Sequence, residues 1–146
     1  MVVFLRSFGC IFCKEALHDL AKLKDEIAQA HVELVFVHMA STLQADVFFE
    51  NYGLKGTNQI SDPTCKLYAQ FGLSKGNFSQ LLGLKTWVRG FEANAKGIGY
   101  SIKKIGDSLQ MPGIFLICDG QIKESYIHKS ASDKPDYLEL INCCIT

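Results

Sequence analysis

An apolar run, Val2-Val3-Phe4-Leu5, leads through Arg6-Ser7-Phe8-Gly9 straight into Cys10-Ile11-Phe12-Cys13. This reads as a strand delivering two thiols to the start of a helix. A helix N-terminus carries about half a positive charge and several unpaired N–H groups, both of which favour a thiolate over a thiol. The C-x-x-C is therefore read as a reactive cysteine pair. Beyond it, Ala16, Leu17, Leu20, Leu23, Ile27 and Ala28 recur at helical spacing, with Lys14, Glu15, Asp19, Lys22, Asp25 and Glu26 on the other face. That pattern predicts an amphipathic helix over 13–30.

The run Leu34-Val35-Phe36-Val37 suits a strand covered on both faces. Strand, helix, strand implies a parallel pair with a right-handed crossover. Ser41-Thr42-Leu43-Gln44 has the capping-box spacing, and a helix is expected from there to Tyr52, ended by Gly53. Gln59-Ile60-Ser61 reads as a short strand. Asp62-Pro63 then supplies an N-cap and a first-turn proline for a helix running to Phe71 and stopped by Gly72. Glycines interrupt the pattern between residues 73 and 109, apart from a helical stretch at 81–95 whose Trp87 and Phe91 read as core packing. Gly113 to Cys118, an Asp119-Gly120 turn and Gln121 to His128 form a hairpin signature. A last helix is expected after Asp133, with Tyr137, Leu138, Ile141 and Cys144 as its inner face.

The chain has 146 residues, 48% of them hydrophobic, which suffices for one good core, so residues 1–146 are read as a single domain. Fifteen basic and fifteen acidic residues cancel, and no basic run exceeds Lys103-Lys104. Nothing there recommends nucleic acid or an anionic membrane as partner. The apolar runs fall well short of the roughly 20 residues a membrane span needs. No secretory signal pattern opens the sequence, which reads as cytoplasmic. Six cysteines are too sparse for a disulfide scaffold, so reduced thiols plus one redox pair are expected.

Taken together, the segment from Phe4 to Glu15 resembles the peroxiredoxin-like 2 group of the AhpC/TSA (alkyl hydroperoxide reductase C/thiol-specific antioxidant) superfamily. The likeness continues through Ser61-Asp62-Pro63, Leu67-Tyr68, Phe71-Gly72-Leu73 and the Asp119-Gly120 turn. The resemblance and the order of elements imply a thioredoxin-like α/β fold, a central mixed sheet flanked by helices. The resemblance implies Cys10 as the attacking thiolate, Cys13 as the resolving thiol, and Met111-Pro112 as the cis-proline element facing the pair. Arg6, just upstream, is placed with Met111 and Pro112 on the substrate side. One departure is plain: the Pro-x-x-x-Thr-x-x-Cys of true peroxiredoxins is absent, and a cysteine, Cys65, stands in the loop that would carry the threonine.

These features lead to a thiol-dependent antioxidant oxidoreductase that cycles Cys10 and Cys13 between dithiol and disulfide. Peroxide, endoperoxide and protein disulfide are all open as substrates, and a thioredoxin or glutathione system is the expected electron donor. The alternative is a redox-regulated binding module on the same fold, without turnover. No cofactor is expected, because no phosphate-cradling glycine loop occurs. No metal is expected either, since the remaining cysteines supply no second knuckle for zinc. Cys65 and Cys118 are read as small buried hydrophobes, while Cys143-Cys144 leaves open an intermolecular disulfide and with it a homodimer. His18, His31, His38 and His128 are scattered, and none is marked by spacing as a base.

Overall fold

The computed structural model describes residues 1–77 and 106–142. Trp87, Phe91, the expected 81–95 helix and Cys143-Cys144 lie outside the described residues. In chain order the elements are β1 (Val2–Phe4), α1 (Ile11–Gln29), β2 (Val35–His38), α2 (Thr42–Glu50), β3 (Asn58–Ser61), α3 (Lys66–Gln70), β4 (Gly113–Cys118), β5 (Gln121–Ile127) and α4 (Tyr137–Asn142).

The strands form one sheet in the order β3-β2-β1-β4-β5. β1 pairs in parallel with β2, and β2 with β3, whereas β4 joins β1 and β5 in antiparallel pairing. The result is an α/β arrangement with a mixed sheet, consistent with a thioredoxin-like fold. Its consequence for function is positional. Parallel strands put the segments after β1, β2 and β3 at one end of the sheet, where α/β sites gather. Because β4 runs antiparallel, with Phe4 opposite Gly113, its first residues reach that same end.

Strand alternation splits the core in two. Val3, Leu5, Phe36, Ile114 and Leu116 face a layer built with Leu17, Leu20 and Ile27 of α1, Phe49 of α2 and Ile141 of α4. Phe4, Val37 and Phe115 point the other way and pack with Tyr68 and Leu73. Phe36 and Val37 are both fully buried, which is what the continuous apolar run of β2 requires.

Local chemistry fixes the boundaries. Gln44 N donates to Ser41 Oγ at 3.3 Å and Ser41 N donates to Gln44 Oε1 at 3.2 Å, completing the capping box that opens α2. Asp119 and Gly120 both have positive φ, at 52° and 73°, the conformation of a tight hairpin turn. One boundary differs from the sequence expectation. α3 begins at Lys66, so Pro63 does not occupy its first turn. Residues 62–65 close a turn through Cys65 N donating to Asp62 O at 3.1 Å. The Asp62 carboxylate still caps the helix across that turn, accepting from Lys66 N at 3.2 Å and Leu67 N at 2.8 Å. Cys118 also departs from its reading as a buried residue. It is exposed, because β4 ends there beside the Asp119-Gly120 hairpin turn.

Candidate active site

Cys10 is the N-cap of α1, with extended backbone (φ −75°, ψ 129°), and its side chain makes no capping bond to the helix. Cys10 N donates to Ser7 O at 3.0 Å, and Lys14 N donates to Cys10 O at 3.3 Å. The sulfur is thus presented at the helix start, half-buried, and is a free thiol, as is Cys13.

Arg6 is the side chain that completes this arrangement. Its Nη1 donates to Cys10 Sγ at 3.1 Å, its Nε donates to Gln110 O at 3.3 Å, and its Nη2 donates to Ser108 O. Arg6 as a residue is only 8% exposed, and its cation is directed at a sulfur and two backbone carbonyls. A hydrogen bond from a cation strengthens as its acceptor becomes anionic. The planar fork of Arg suits three acceptors at once, which an ammonium on a flexible stem does not.

Cys13 stands one turn further in, 4% exposed. Burial pushes its thiol far above the ordinary value, the neighbouring Cys10 adds to this, and the charges of Arg6 and Lys14 oppose it only in part. The two cysteines are therefore unlike: one half-buried at the helix start and paired with a cation, the other buried and held as a neutral thiol.

The antiparallel hairpin brings Met111 and Pro112 beside this loop. Met111 is buried at 3% exposure, and its N–H donates to Ser74 O at 3.1 Å. Pro112 lines a cavity with Cys13 and Arg6. The cis-proline expectation is corrected here. No peptide bond among the described residues is cis, so Met111–Pro112 is trans. Trans is the form an X-Pro bond favours by about 0.5–1 kcal/mol. The flanking chain is held in this course by Met111 N on one side and by Pro112 O, which accepts from His128 N at 3.4 Å, on the other.

Spacing did not mark His128, yet it lies at this site. It follows β5 directly, opposite Pro112, and lines the same cavity as Cys13. Its imidazole is pushed down to about 4, chiefly by burial, with Arg6 in the same direction and Asp133 against. His38, at the end of β2, is engaged through one ring nitrogen: its Nε2 lies 2.7 Å from Gln59 Oε1 and its ring lies against Phe8 and Phe49, while its buried Nδ1 has no hydrogen-bond partner among the described residues. Cys65 is half-buried at the start of α3, with Asp62 and Asp107 raising its pKa after burial. Among the described residues no group of three or more His, Cys, Asp or Glu side chains is arranged to hold a metal ion. No described helix is long and apolar enough to cross a membrane.

A mixed α/β sheet carrying a cysteine pair at its first helix defines a class of thiol-dependent redox proteins, and the family comparison agrees: residues 19–132 match the model of the AhpC/TSA antioxidant enzymes, and the chain belongs to that family. The match starts after Cys10 and Cys13, so what those two residues do is argued from their geometry. Among curated proteins, the chain is 28% identical to the chloroplastic thioredoxin-like protein AAED1 of Arabidopsis thaliana over 99% of this chain and 61% of the relative. It is 29% identical to the human prostamide/prostaglandin F synthase over 91% of this chain and 68% of that protein. It is 32% identical to the Bos taurus peroxiredoxin-like 2C over 52% of this chain and 33% of that protein. The chain thus spans less than two thirds of the plant relative's length.

Proposed function

We propose that this chain is a thioredoxin-fold thiol oxidoreductase that reduces peroxides or disulfides by cycling Cys10 and Cys13 between dithiol and disulfide. The observation that carries the proposal is the asymmetry of the pair: Cys10 half-buried at the N-cap of α1 with Arg6 Nη1 at 3.1 Å, Cys13 buried and neutral behind it.

With a peroxide, the Cys10 thiolate attacks one oxygen, the O–O bond breaks, and Cys10 becomes a sulfenic acid while an alkoxide or hydroxide leaves and takes a proton. Cys13 then attacks the sulfenic sulfur, forming the Cys10–Cys13 disulfide and releasing water. With a disulfide, Cys10 forms a mixed disulfide and expels a thiolate, and Cys13 expels the second. A thioredoxin-type dithiol, or two glutathione thiols, returns two electrons, restoring the Cys10–Cys13 dithiol as the donor becomes a disulfide. Membership of the AhpC/TSA family supports the antioxidant direction, and the names of the relatives, peroxiredoxin-like and prostamide/prostaglandin F synthase, support an oxidised small molecule as substrate.

Steady-state consumption of hydrogen peroxide or of a small disulfide with a dithiol donor tests this. Cys10→Ser is expected to abolish turnover, and Cys13→Ser, before donor is added, to halt after the first step with Cys10 as a sulfenic acid when the substrate is peroxide and as a mixed disulfide when it is a disulfide. Full activity in Cys10→Ser overturns the proposal.

A further inference from the structure

Behind Cys13 lies a cavity of about 30 Å³, bounded by β1, α1, the start of β4 and the segment after β5. Its size fits one or two water molecules, given that roughly 10–15 Å³ holds one. The start of β4 contributes only Pro112 and Ile114, and the titratable groups come from the other sides. Arg6 follows β1, Glu15 and Asp19 come from α1, Asp133 and Lys134 follow β5, Tyr137 comes from α4, and the Tyr126 ring lies against that of His128. Most of these charges are already committed. Lys134 Nζ lies 2.6 Å from Asp19 Oδ2 and 3.6 Å from Glu15 Oε1, and Arg6 is engaged with Cys10. Asp133 accepts from the backbone N–H groups of Lys129 and Ser130, at 2.7 and 2.9 Å.

His128 is different. Its Nδ1 is buried and has no hydrogen-bond partner among the described residues, whereas Asp19 Oδ2, which also lacks a hydrogen bond, lies against the Lys134 ammonium. A buried polar atom without a partner in a native fold calls for a specific explanation, and an internal water is the ordinary one. We infer that a water held on His128 Nδ1 in this cavity carries the proton away from Cys13 when that thiol attacks Cys10, making His128 a proton-accepting positioning residue for the resolving step.

The inference rests on the dithiol cycle proposed above and assigns its second half. As the sulfur–sulfur bond between Cys13 and Cys10 forms, the Cys13 S–H bond breaks and the proton passes through the water to His128 Nδ1. The electron pair of the bond broken at Cys10 leaves with the departing thiolate, or with hydroxide from a sulfenic acid, and that group takes a proton from solvent. The imidazolium then returns its proton to solvent. The burial that makes Cys13 a poor acid makes the route necessary: a thiol held neutral does not attack until something takes its proton. The same burial leaves His128 unprotonated throughout the physiological range, while making it a weaker base than a solvent-exposed imidazole. Transfer concerted with bond formation asks little basicity of it, because the sulfur's developing charge is drawn into the new bond.

The test is stopped-flow mixing of reduced protein with substoichiometric 5,5′-dithiobis(2-nitrobenzoate). Attack by Cys10 releases one thionitrobenzoate, and resolution by Cys13 releases the second in a first-order phase. In the unsubstituted protein that second phase is expected to be independent of pH between about 5.5 and 8. His128→Phe keeps a ring in place, and His128→Asn keeps a hydrogen-bonding group but no base. Both are expected to slow the second phase at pH 6 by about 10- to 100-fold, within the lower range of general-base effects. Both should also make it rise about tenfold per pH unit as hydroxide takes over, with the first phase unchanged. A His128→Asn protein that folds and resolves at the original rate with a flat profile overturns the inference while leaving the dithiol cycle standing. Absence of any second phase in the unsubstituted protein overturns the dithiol cycle itself.

Discussion

Arg6 Nη1 donates to Cys10 Sγ at 3.1 Å, and the same guanidinium grips the carbonyls of Gln110 and Ser108 from a chain segment a hundred residues away in sequence. A single cation thus ties the reactive sulfur to the segment that leads into β4. Charge-assisted hydrogen bonds contribute about 1.5–3 kcal/mol. Arg6→Met is therefore expected to slow alkylation of Cys10 by iodoacetamide at pH 7 by about tenfold or more, and to lower thermal stability through the lost carbonyl contacts. Arg6→Lys retains a charge but not the fork, and falls between the two. Timed alkylation read by peptide mass checks both, and an unaltered Cys10 rate in Arg6→Met contradicts the pairing.

Cys13 gives a prediction of the opposite kind. Its thiol is buried and pushed upward, first by desolvation. In the reduced native protein, iodoacetamide is expected to label Cys10 and leave Cys13 unlabelled up to pH 9, with Cys13 reacting only in denaturant. The sign of its pH linkage follows. Above the ordinary thiol value of 9.0 the unfolded chain loses this proton while the folded chain keeps it, so the folded state binds more protons and stability falls as pH rises through that range. Urea melts at pH 8 and pH 10, compared with those of Cys13→Ala, isolate the effect.

For His128 the linkage runs toward acid. Its folded value near 4 lies below the unfolded 6.5, so between those limits the unfolded chain binds more protons and stability rises with pH. Acidification from pH 7.5 to 5 is expected to remove about 2 kcal/mol through this group, at about 1.4 kcal/mol per unit. His128→Phe should flatten that part of the urea-denaturation profile. The same slope in both proteins would show that the imidazole is not kept neutral by burial.

Tyr68 links the sheet to the layer beneath the site. Its hydroxyl donates to Leu5 O, at 2.6 Å, and lies 3.1 Å from Val37 O, where β1 and β2 end. Tyr68→Phe is expected to cost about 1–3 kcal/mol, because it strands a buried carbonyl. The loss reads out as a lower urea midpoint, with Cys10 alkylation little changed.

Much of this was legible beforehand because it is carried by local pattern. The apolar spacing of α1, the Ser41-Gln44 box and the Asp119-Gly120 turn each act within a few residues, and each is found where the pattern puts it. The α3 start was misplaced because Asp62 serves as a cap from across a turn rather than from the adjoining position. Cys118 departs from its reading because it is the last residue of β4, at the hairpin turn, and its apolar neighbours do not encode that it is exposed there. Arg6, expected at the site and only four residues before Cys10, is found there, whereas His128 shows the limit of local pattern. Its residue type is visible, but its place on the Cys13 cavity depends on β4 and β5 pairing beside β1. An antiparallel hairpin added to a parallel core places its ends by topology, and no spacing rule along the chain reports that.

The central claim is that Cys10 and Cys13 act as one redox pair. Fully reduced protein is exposed to substoichiometric hydrogen peroxide, quenched by alkylation at timed points, and its cysteines mapped by peptide mass. Rapid, selective formation of a Cys10–Cys13 disulfide, ahead of any change at Cys65 or Cys118, is the predicted result. Slow oxidation scattered over the cysteines, with Cys10 no faster than Cys118, would contradict it.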